Sequence, residues 1–377
     1  MMPLRDDFLL DPAVAFLNHG SYGAVPRPVL EAYQRWELMI ERQPVEFFYR
    51  RFHNAIDEAR AALAAYVNAP LDTLAFMPNA TVALNMIART LKLHAGDEVL
   101  TTDHEYGAMD IMWRHLTAQA GASYRSVALP DPITSAEQVV RAIVDQFQPQ
   151  TRALFLSHIT SPTAIILPIE PILQAARARG ILTIVDGAHA VGQIPLDMQA
   201  LGADVYTSNC HKWLCAPRTA AFLYIRAEAQ PLFEPLILSW GFIPENNFAL
   251  QNAWLGTLNV AAYLTVPDAI AYQQANDWDS VRARCHALAR SARARLLERC
   301  GTAPLTPDDA AWYQQMVAVE LPRGGDYDTL NRRLAHEHQV EVPVTRRGDR
   351  AYVRVSVQAY NDERDIDRLL AALARAL

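Results

Sequence analysis

Short apolar segments alternate regularly with longer helical segments from about residue 74 to residue 225. Apolar segments such as RALFLSHI and ILTIVDGA predict buried strands, whereas segments such as SAEQVVRAIVDQF predict helices. Strands that alternate with helices favour an α/β fold with a mainly parallel central sheet and helices on both faces. Open sheets of this kind bind ligands at the carboxyl ends of their strands.

The segments on either side of this alternation predict further elements. Residues 27–66 have a helical pattern that Pro44 interrupts. Beyond about residue 262, one long helix is expected over VPDAIAYQQANDWDSVRARCHALARSARARLLERC, followed by the strands MVAVEL and YVRVSVQAYN and a final helix. A chain of 377 residues exceeds the usual size of a single core. We therefore expect a domain of residues 1–260, with an N-terminal arm and a large α/β unit, and a smaller α+β domain of residues 261–377.

Composition excludes several classes of function. The net charge of -7 provides no basic field for nucleic acid. No apolar run reaches the roughly 18 residues that would predict a membrane span. The first residues, MMPLRDDFLLDP, lack the pattern of a secretion signal, and four cysteines do not make a disulfide framework in a chain of this length. We therefore expect a cytoplasmic protein that binds neither nucleic acid nor membrane.

A carboxylate and a lysine follow two predicted strands that are adjacent in the sequence. Asp186 ends ILTIVD, and Lys212 lies just beyond ADVYTSN. Taken separately, Asp186 is typical of a residue that caps a turn, and Lys212 of an exposed loop. Together they suit a pyridoxal phosphate site, in which the carboxylate pairs with the pyridine nitrogen and the lysine holds the aldehyde carbon as a Schiff base.

The segment VDGAHAVGQIPLDMQALGADVYTSNCHKW resembles the core of the class V (fold type I) pyridoxal phosphate-dependent aminotransferase superfamily. The resemblance extends from LNHGSYG to YNDERDID and concerns the branch of isopenicillin N epimerase-like proteins and cysteine desulfurases. It implies that Lys212 forms the Schiff base and that Asp186 is the pyridinium partner. It also implies that His189 contacts the phenolic oxygen of the cofactor and that His211 contacts its phosphate.

Two further segments resemble the phosphate-binding parts of that family. PNATVALN would present the helix start at Asn79, Ala80 and Thr81 to the phosphate, where free N–H groups and the helix dipole favour an anion. The family often has a serine three residues before the lysine, and this chain has Asn209 there. Either Asn209 or the preceding Ser208 is expected to contact the phosphate.

The resemblance also implies residues around the cofactor ring and across a subunit interface. In DHEYGAMDIMW, Tyr106 is expected to stack on the ring, with His104 as the alternative. His158 is expected near the ring oxygen. Gly256 and Thr257 of WLGTLN are expected to reach the phosphate of a neighbouring subunit, which implies a homodimer with shared active sites.

Substrate contacts are expected from both ends of the chain. Arg354 of YVRVSVQAYN matches the arginine that binds the substrate carboxylate, as a bidentate guanidinium can. Asn18 and His19 of LNHGSYG match a stretch that lines the substrate side. A second anion contact could come from an arginine outside these motifs, although these arginines are equally typical of a solvated surface: Arg50, Arg51, Arg346 and Arg347.

The cysteines argue against a desulfurase and against a metal site. The segment VPVTRRGDRAYVR, where desulfurases carry their nucleophilic cysteine, has none. Cys210 and Cys215 lack the second, distant pair of a zinc signature. Cys285 and Cys300 lie in a predicted helix. We therefore expect neither a bound metal nor a persulfide.

The segments EYGA and NCHKWLxAP favour the isopenicillin N epimerase-like branch. We expect a pyridoxal phosphate enzyme for an amino acid or an amino-acid-bearing compound, first as an epimerase or racemase. The alternatives are a carbon–sulfur lyase acting by α,β-elimination and then an aminotransferase. The expected catalytic residues are Lys212, Asp186, His189 and Tyr106. Epimerisation requires a second acid or base, for which the candidates are Tyr106, His19 and His158. A non-catalytic binding protein would be expected to lack Lys212 or Asp186.

Overall fold

The computed structural model describes residues 4–242 and 247–377. Its strands are β1 (Ala15–Phe16), β2 (Leu74–Met77), β3 (Glu98–Thr102), β4 (Ser123–Val127), β5 (Thr151–Ser157), β6 (Leu182–Asp186), β7 (Val205–Ser208), β8 (Ala221–Ile225), β9 (Met316–Glu320), β10 (Val340–Glu341), β11 (Val344–Arg347) and β12 (Arg350–Ser356). Its α-helices are α1 (His19–Tyr22), α2 (Arg27–Arg42), α3 (Pro44–Glu46), α4 (Phe52–Tyr66), α5 (Ala80–Thr90), α6 (Gly107–Ala120), α7 (Ala136–Val144), α8 (Ile169–Arg177), α9 (Met198–Leu201), α10 (Phe248–Gln251), α11 (Ala261–Leu264), α12 (Val266–Ala275), α13 (Trp278–Cys300), α14 (Leu330–His338) and α15 (Glu363–Ala376).

Seven strands form the central sheet, in the order β2-β8-β7-β6-β5-β3-β4. The pairs from β7 to β4 are all parallel, whereas β8 is antiparallel to both β2 and β7. The prediction of an α/β fold with a mainly parallel sheet is therefore confirmed. Because β3, β5, β6 and β7 run in one direction, their carboxyl ends meet at one edge of the sheet.

Both faces of the sheet are covered. Leu154 and Leu156 of β5 belong to one apolar cluster, which includes side chains of α4, α8 and α12. Ala153 and Phe155, which alternate with these leucines along β5, belong to a second cluster, which includes side chains of α5 and α6. Burial on two sides explains why the strand segments are apolar throughout instead of alternating with polar residues.

The C-terminal region is a smaller α+β unit. A three-stranded antiparallel sheet, β11-β12-β9, packs against α13. The N-terminal arm joins this region, because β1 pairs in parallel with β10 and Asn18 forms a bridge with Ser356. A boundary near residue 260 remains a prediction.

The prediction of a single helix after residue 265 is wrong, because this segment is divided into α12 and α13. Asp277, between them, has φ +47, which lies in the left-handed region. Asp tolerates this conformation better than most residues because its short side chain can form hydrogen bonds with the nearby backbone.

None of the helices in the described parts of the chain combines the length and the apolar composition of a membrane-spanning segment.

Candidate active site

A cleft of about 500 Å³ opens at the carboxyl ends of the parallel strands. This volume is typical of small-molecule sites. Its walls come from the ends of β2, β5, β6 and β7, the start of α6, the N-terminal arm, and the β11–β12 hairpin. Most of the predicted site residues line it: Asn79, Ala80, Thr81, Tyr106, Asp186, His189, Asn209, His211, Lys212 and Arg354.

Lys212 lies beside His189 on the floor of the cleft. Its Nζ is 3.4 Å from His189 Nε2, and the Trp213 indole N–H donates to His189 Nδ1 at 3.3 Å. Because an indole nitrogen can only donate, a neutral His189 carries its proton on Nε2, the side that faces Lys212. Burial lowers the pKa of His189 well below 6.5 and keeps the ring neutral. Burial and the charge of Arg354 lower the pKa of Lys212 to about 7, which favours the nucleophilic amine.

Asp186 is the last residue of β6 and lies between β5 and β7. Its Oδ1 accepts from the N–H of Ala188 at 2.9 Å. Burial raises the pKa of this carboxyl, and the nearby Lys212 acts in the opposite direction. Gly187 is required next to it, because a Cβ there would lie 2.3 Å from the ring of Tyr206. A buried carboxylate of this kind requires a cationic or hydrogen-bonding partner.

The start of α5 forms one end of the cleft. The Ala80 N–H donates to Asn209 Oδ1 at 2.9 Å, and the Val82 N–H donates to Asn79 Oδ1 at the same distance. Of the first three helical N–H groups, only that of Thr81 remains free within the described chain. The NH₂ group of Asn209 is a second neutral donor there.

Ser208 does not reach the cleft. Its hydroxyl donates to the carbonyl of Gly187 and accepts from the Val191 N–H, the latter at 3.1 Å. Of the two residues considered for the phosphate, the structure thus places Asn209 in the cleft and Ser208 beneath it.

His211 lies at the same end as Asn209. Its Nδ1 donates to the carbonyl of Ala220 at 3.1 Å, and burial lowers its pKa to about 4. Arg218 and Thr219, in the loop between His211 and Ala220, also line the cleft. Sequence reasoning missed both, because they lie in an irregular loop that has no periodic pattern.

Arg354 lies at the opposite end, on β12. Its Nη1 donates to the carbonyl of Ser161 at 2.7 Å, and its Nη2 donates to Ser21 Oγ at 3.2 Å. Its buried Nε has no partner, and no carboxylate pairs with it among the described residues. Burial lowers its pKa to about 10, so that the group is still charged at neutral pH. An anionic ligand is what this group lacks.

Other residues at this end were missed by the sequence reasoning. They lie in loops or in the short α1, where only the neighbouring residues had a recognisable motif: Ser21, Tyr22, Ser161, Pro343 and Thr345.

Tyr106 and His104 occupy different environments. Tyr106 precedes the first residue of α6, is 47% exposed and lines the cleft. His104 is buried outside the cleft, with Nδ1 2.7 Å from Thr163 Oγ1. Only Tyr106 is therefore placed where it can contact a ligand.

Three predicted site residues are buried outside the cleft. His158 Nδ1 is 2.9 Å from the Tyr206 hydroxyl, behind Asp186. His19 donates from Nε2 to the carbonyl of Lys212 at 2.9 Å, and Asn18 donates to Glu341 Oε1 at 3.0 Å. These placements differ from the expected contacts with ring and substrate. The reason is that the side chains at residues 18 and 19 turn inward, and the next residues of the arm face the cleft.

Gly256 and Thr257 also lie outside this cleft, and Thr257 is exposed. Three of the four arginines considered as a second anion contact are in ion pairs. Arg50 pairs with Glu46 and Arg346 with Asp328, while Arg347 pairs with Asp103 and Asp131.

No cysteine is among the residues that line the cleft. Cys210 and Cys215 are fully buried, and burial raises the pKa of both thiols. The described residues contain no group of side chains that could hold a metal ion.

These residues fit pyridoxal phosphate. The start of α5 and its neutral donors suit a phosphate group, Asp186 suits a pyridinium nitrogen, and Lys212 suits an aldehyde. The unpaired Nε of Arg354 remains for a substrate carboxylate.

Comparison with known proteins identifies the family of the chain. The aminotransferase class-V family model matches residues 23–369. The chain is 37% identical to isopenicillin N epimerase of Amycolatopsis lactamdurans, over 98% of this chain and 96% of that protein. It is 30% identical to putative L-cysteine desulfhydrase 1 of Oryza sativa subsp. japonica, over 96% of this chain and 83% of that protein.

A solved structure has the same fold. The cysteine desulfurase CsdA of Escherichia coli superposes with a TM-score of 0.82 at 24% identity, and the match covers 99% of this chain and 97% of that chain. The chain therefore belongs to the aminotransferase class-V family and is a pyridoxal phosphate-dependent enzyme.

Proposed function

We propose that the enzyme is an epimerase or racemase that inverts the α-carbon of an amino acid or of an amino-acid-bearing compound. The proposal rests on one observation. The amine of Lys212 and the phenol of Tyr106 line the same cleft, and they follow strands that are not neighbours in the sheet. The identity of 37% with an isopenicillin N epimerase supports it.

The two groups are well separated along the sheet. Tyr106 follows β3 and Lys212 follows β7, with β5 and β6 between them. At about 4.8 Å per strand, three intervals span roughly 14 Å. A substrate held between them would be approached from two sides, as inversion requires. Of the candidates for the second acid or base, His19 and His158 are buried outside the cleft, which leaves Tyr106.

Each residue would have a distinct task. When bound, pyridoxal phosphate withdraws electrons from the α-carbon and makes its proton acidic. Asp186 would keep the pyridine nitrogen protonated, and His189 would donate from Nε2 to the phenolic oxygen. Arg354 would bind the substrate carboxylate.

Proton transfer would then involve two side chains. The Lys212 amine would accept the α-proton on one side, and the Tyr106 hydroxyl would donate a proton on the other. Asp186, His189, Lys212 and Tyr106 are the proposed catalytic residues, and Asn79, Ala80, Thr81, Asn209 and His211 are proposed to bind the phosphate end.

A deuterium experiment tests this function. The holoenzyme is incubated in deuterated water with a panel of L-amino acids and cysteine conjugates, and the products are analysed by NMR and chiral chromatography. We expect deuterium at the α-carbon together with loss of chirality. Tyr106→Phe should still exchange the α-proton but retain configuration, because Lys212 acts on one side only. Tyr22→Phe, at another tyrosine of the cleft, is the matched control.

Two results would contradict the proposal. Inversion by Tyr106→Phe at the wild-type rate would remove the phenol from the reaction. Absence of α-deuteration with every compound of the panel would argue against epimerisation.

The second candidate is a carbon–sulfur lyase that acts by α,β-elimination. The identity of 30% with a putative cysteine desulfhydrase favours it. Formation of pyruvate and ammonia from L-cysteine, without inversion, would replace the first proposal by this one. Transamination, the third candidate, would produce an oxo acid that matches the substrate. A non-catalytic role is disfavoured because Lys212 and Asp186 are both in place.

We also propose that the protein is located in the cytoplasm.

A further inference from the structure

The phosphate end of the cleft is short of positive charge in the set of residues that the sequence predicts. The Thr81 N–H and the Asn209 amide are neutral donors. His211 is neutral, since burial lowers its pKa to about 4, and its Nδ1–H is committed to Ala220. A phosphate carries up to two negative charges, and an oppositely charged donor binds such a group more strongly than a neutral one does.

One permanent cation lies at this end. Arg218 lines the cleft together with His211, and it lies two residues before Ala220, whose carbonyl His211 contacts. Among the described residues, Arg218 has no carboxylate partner, whereas Arg226, eight residues later, pairs with Asp204. Its charge is therefore available to a ligand.

The loop is built to present this residue. The Ala220 carbonyl accepts from both the backbone N–H and Nδ1 of His211, each at 3.1 Å. Thr219, between the arginine and this anchor, has φ +72, which is unusual for a β-branched residue. Strain of this kind persists only where the surroundings enforce it, and it is concentrated at functional sites.

We infer that the Arg218 guanidinium binds the phosphate of the cofactor and supplies the positive charge that the start of α5 and Asn209 lack. The inference does not depend on which reaction the enzyme catalyses.

The test compares two ligands that differ only in the phosphate. The apoenzyme is titrated with pyridoxal 5′-phosphate and with pyridoxal, and binding is followed by tryptophan fluorescence. We expect Arg218→Gln to weaken binding of the phosphorylated ligand by roughly 10-fold or more and to change pyridoxal binding little. Arg218→Lys should retain most of the affinity. Arg51→Gln, at an exposed arginine outside the cleft, should bind both ligands as the wild type does.

Each other outcome would overturn the inference. An equal loss for both ligands would show that Arg218 acts through the fold of the loop. Unchanged binding of both, with or without a higher KM for substrate, would show that the guanidinium does not contact the phosphate.

Discussion

Glu105 is a buried carboxyl that the proposed reaction does not use. Its Oε1 accepts from Thr102 Oγ1 at 2.7 Å, and its Oε2 accepts from the N–H of Ser157 at 2.8 Å. Burial raises its pKa to about 8, and the nearby Asp186 acts in the same direction. Glu105 thus connects the ends of β3 and β5 directly beneath the cleft.

The raised pKa of Glu105 predicts a pH dependence of stability. In the folded state the carboxyl is protonated up to a pH of about 8, whereas in the unfolded chain it ionises near 4.5. Between these values this carboxyl binds more protons in the folded state, so its contribution to the free energy of unfolding decreases as the pH rises, by up to about 1.4 kcal/mol per unit. Glu105→Gln should flatten this decrease in urea unfolding between pH 5 and 8.

The exposed Glu58 provides the control, because Glu58→Gln should leave the slope unchanged. Asp186, with a raised pKa, and buried histidines such as His19 and His158, with lowered pKa values, add slopes of opposite sign, so the test is the difference between Glu105→Gln and the wild type over the same pH range. A slope identical to that of the wild type would show that Glu105 is ionised in the folded protein.

Site residues that follow parallel strands are easier to predict from the sequence than site residues in the N-terminal arm or in irregular loops. Asp186 and Lys212 were predictable, because parallel strands bring their carboxyl ends together whatever the loops do. His19 carries the same motif-based expectation, but its orientation is set by contacts with Tyr360 and the Lys212 carbonyl. Arg218 had no pattern around it, since its position depends on the anchor between His211 and Ala220.

The β11–β12 hairpin carries part of the substrate end of the cleft. Thr345 and Arg354 line the cleft, and Arg347 near the tip donates to Asp103 at 2.7 Å and to Asp131 at 2.6 Å. The Arg347 side chain is only 13% exposed, so water screens these pairs less than surface pairs. The ion pairs therefore fasten the hairpin to the strand end that precedes Tyr106.

Loss of the Arg347 ion pairs should weaken substrate binding. We expect Arg347→Gln to raise KM about tenfold, which corresponds to about 1.4 kcal/mol, with the visible absorption of the bound cofactor unchanged. The neighbouring Arg346→Gln breaks a more exposed pair with Asp328 and should behave as the wild type. Equal KM values for the two variants in steady-state assays would show that the Arg347 pairs do not position the hairpin.

At the scale of the whole molecule, the two ends of the chain complete the cleft. The N-terminal arm contacts the loop that carries Lys212 at Gly23. This residue has φ +70, and a Cβ there would lie 2.0 Å from the His211 carbonyl oxygen. Ser21 and Arg354 then meet across the substrate end. The sequence predicted the central sheet from its periodicity, but β1 and β10 have two residues each, which is too short for any pattern to predict their pairing.

We propose that the enzyme is a homodimer. Thr257 is exposed and lies outside the cleft of its own chain, as expected of a residue that serves a neighbouring subunit. Sedimentation equilibrium should give twice the mass of one chain, and Thr257→Ala should lower the affinity for pyridoxal 5′-phosphate. A monomer with full affinity for the cofactor would contradict the shared site.

We propose that Lys212 holds the cofactor, and the composition of the chain makes this assignment simple to test. The chain contains only two lysines, Lys92 and Lys212. Borohydride reduction of the holoenzyme fixes the cofactor to its lysine, and peptide mass spectrometry then locates the modification. We expect a pyridoxyl group on Lys212, none on Lys92, and the same result in Lys92→Ala. A modification on Lys92, or none on Lys212, would contradict it.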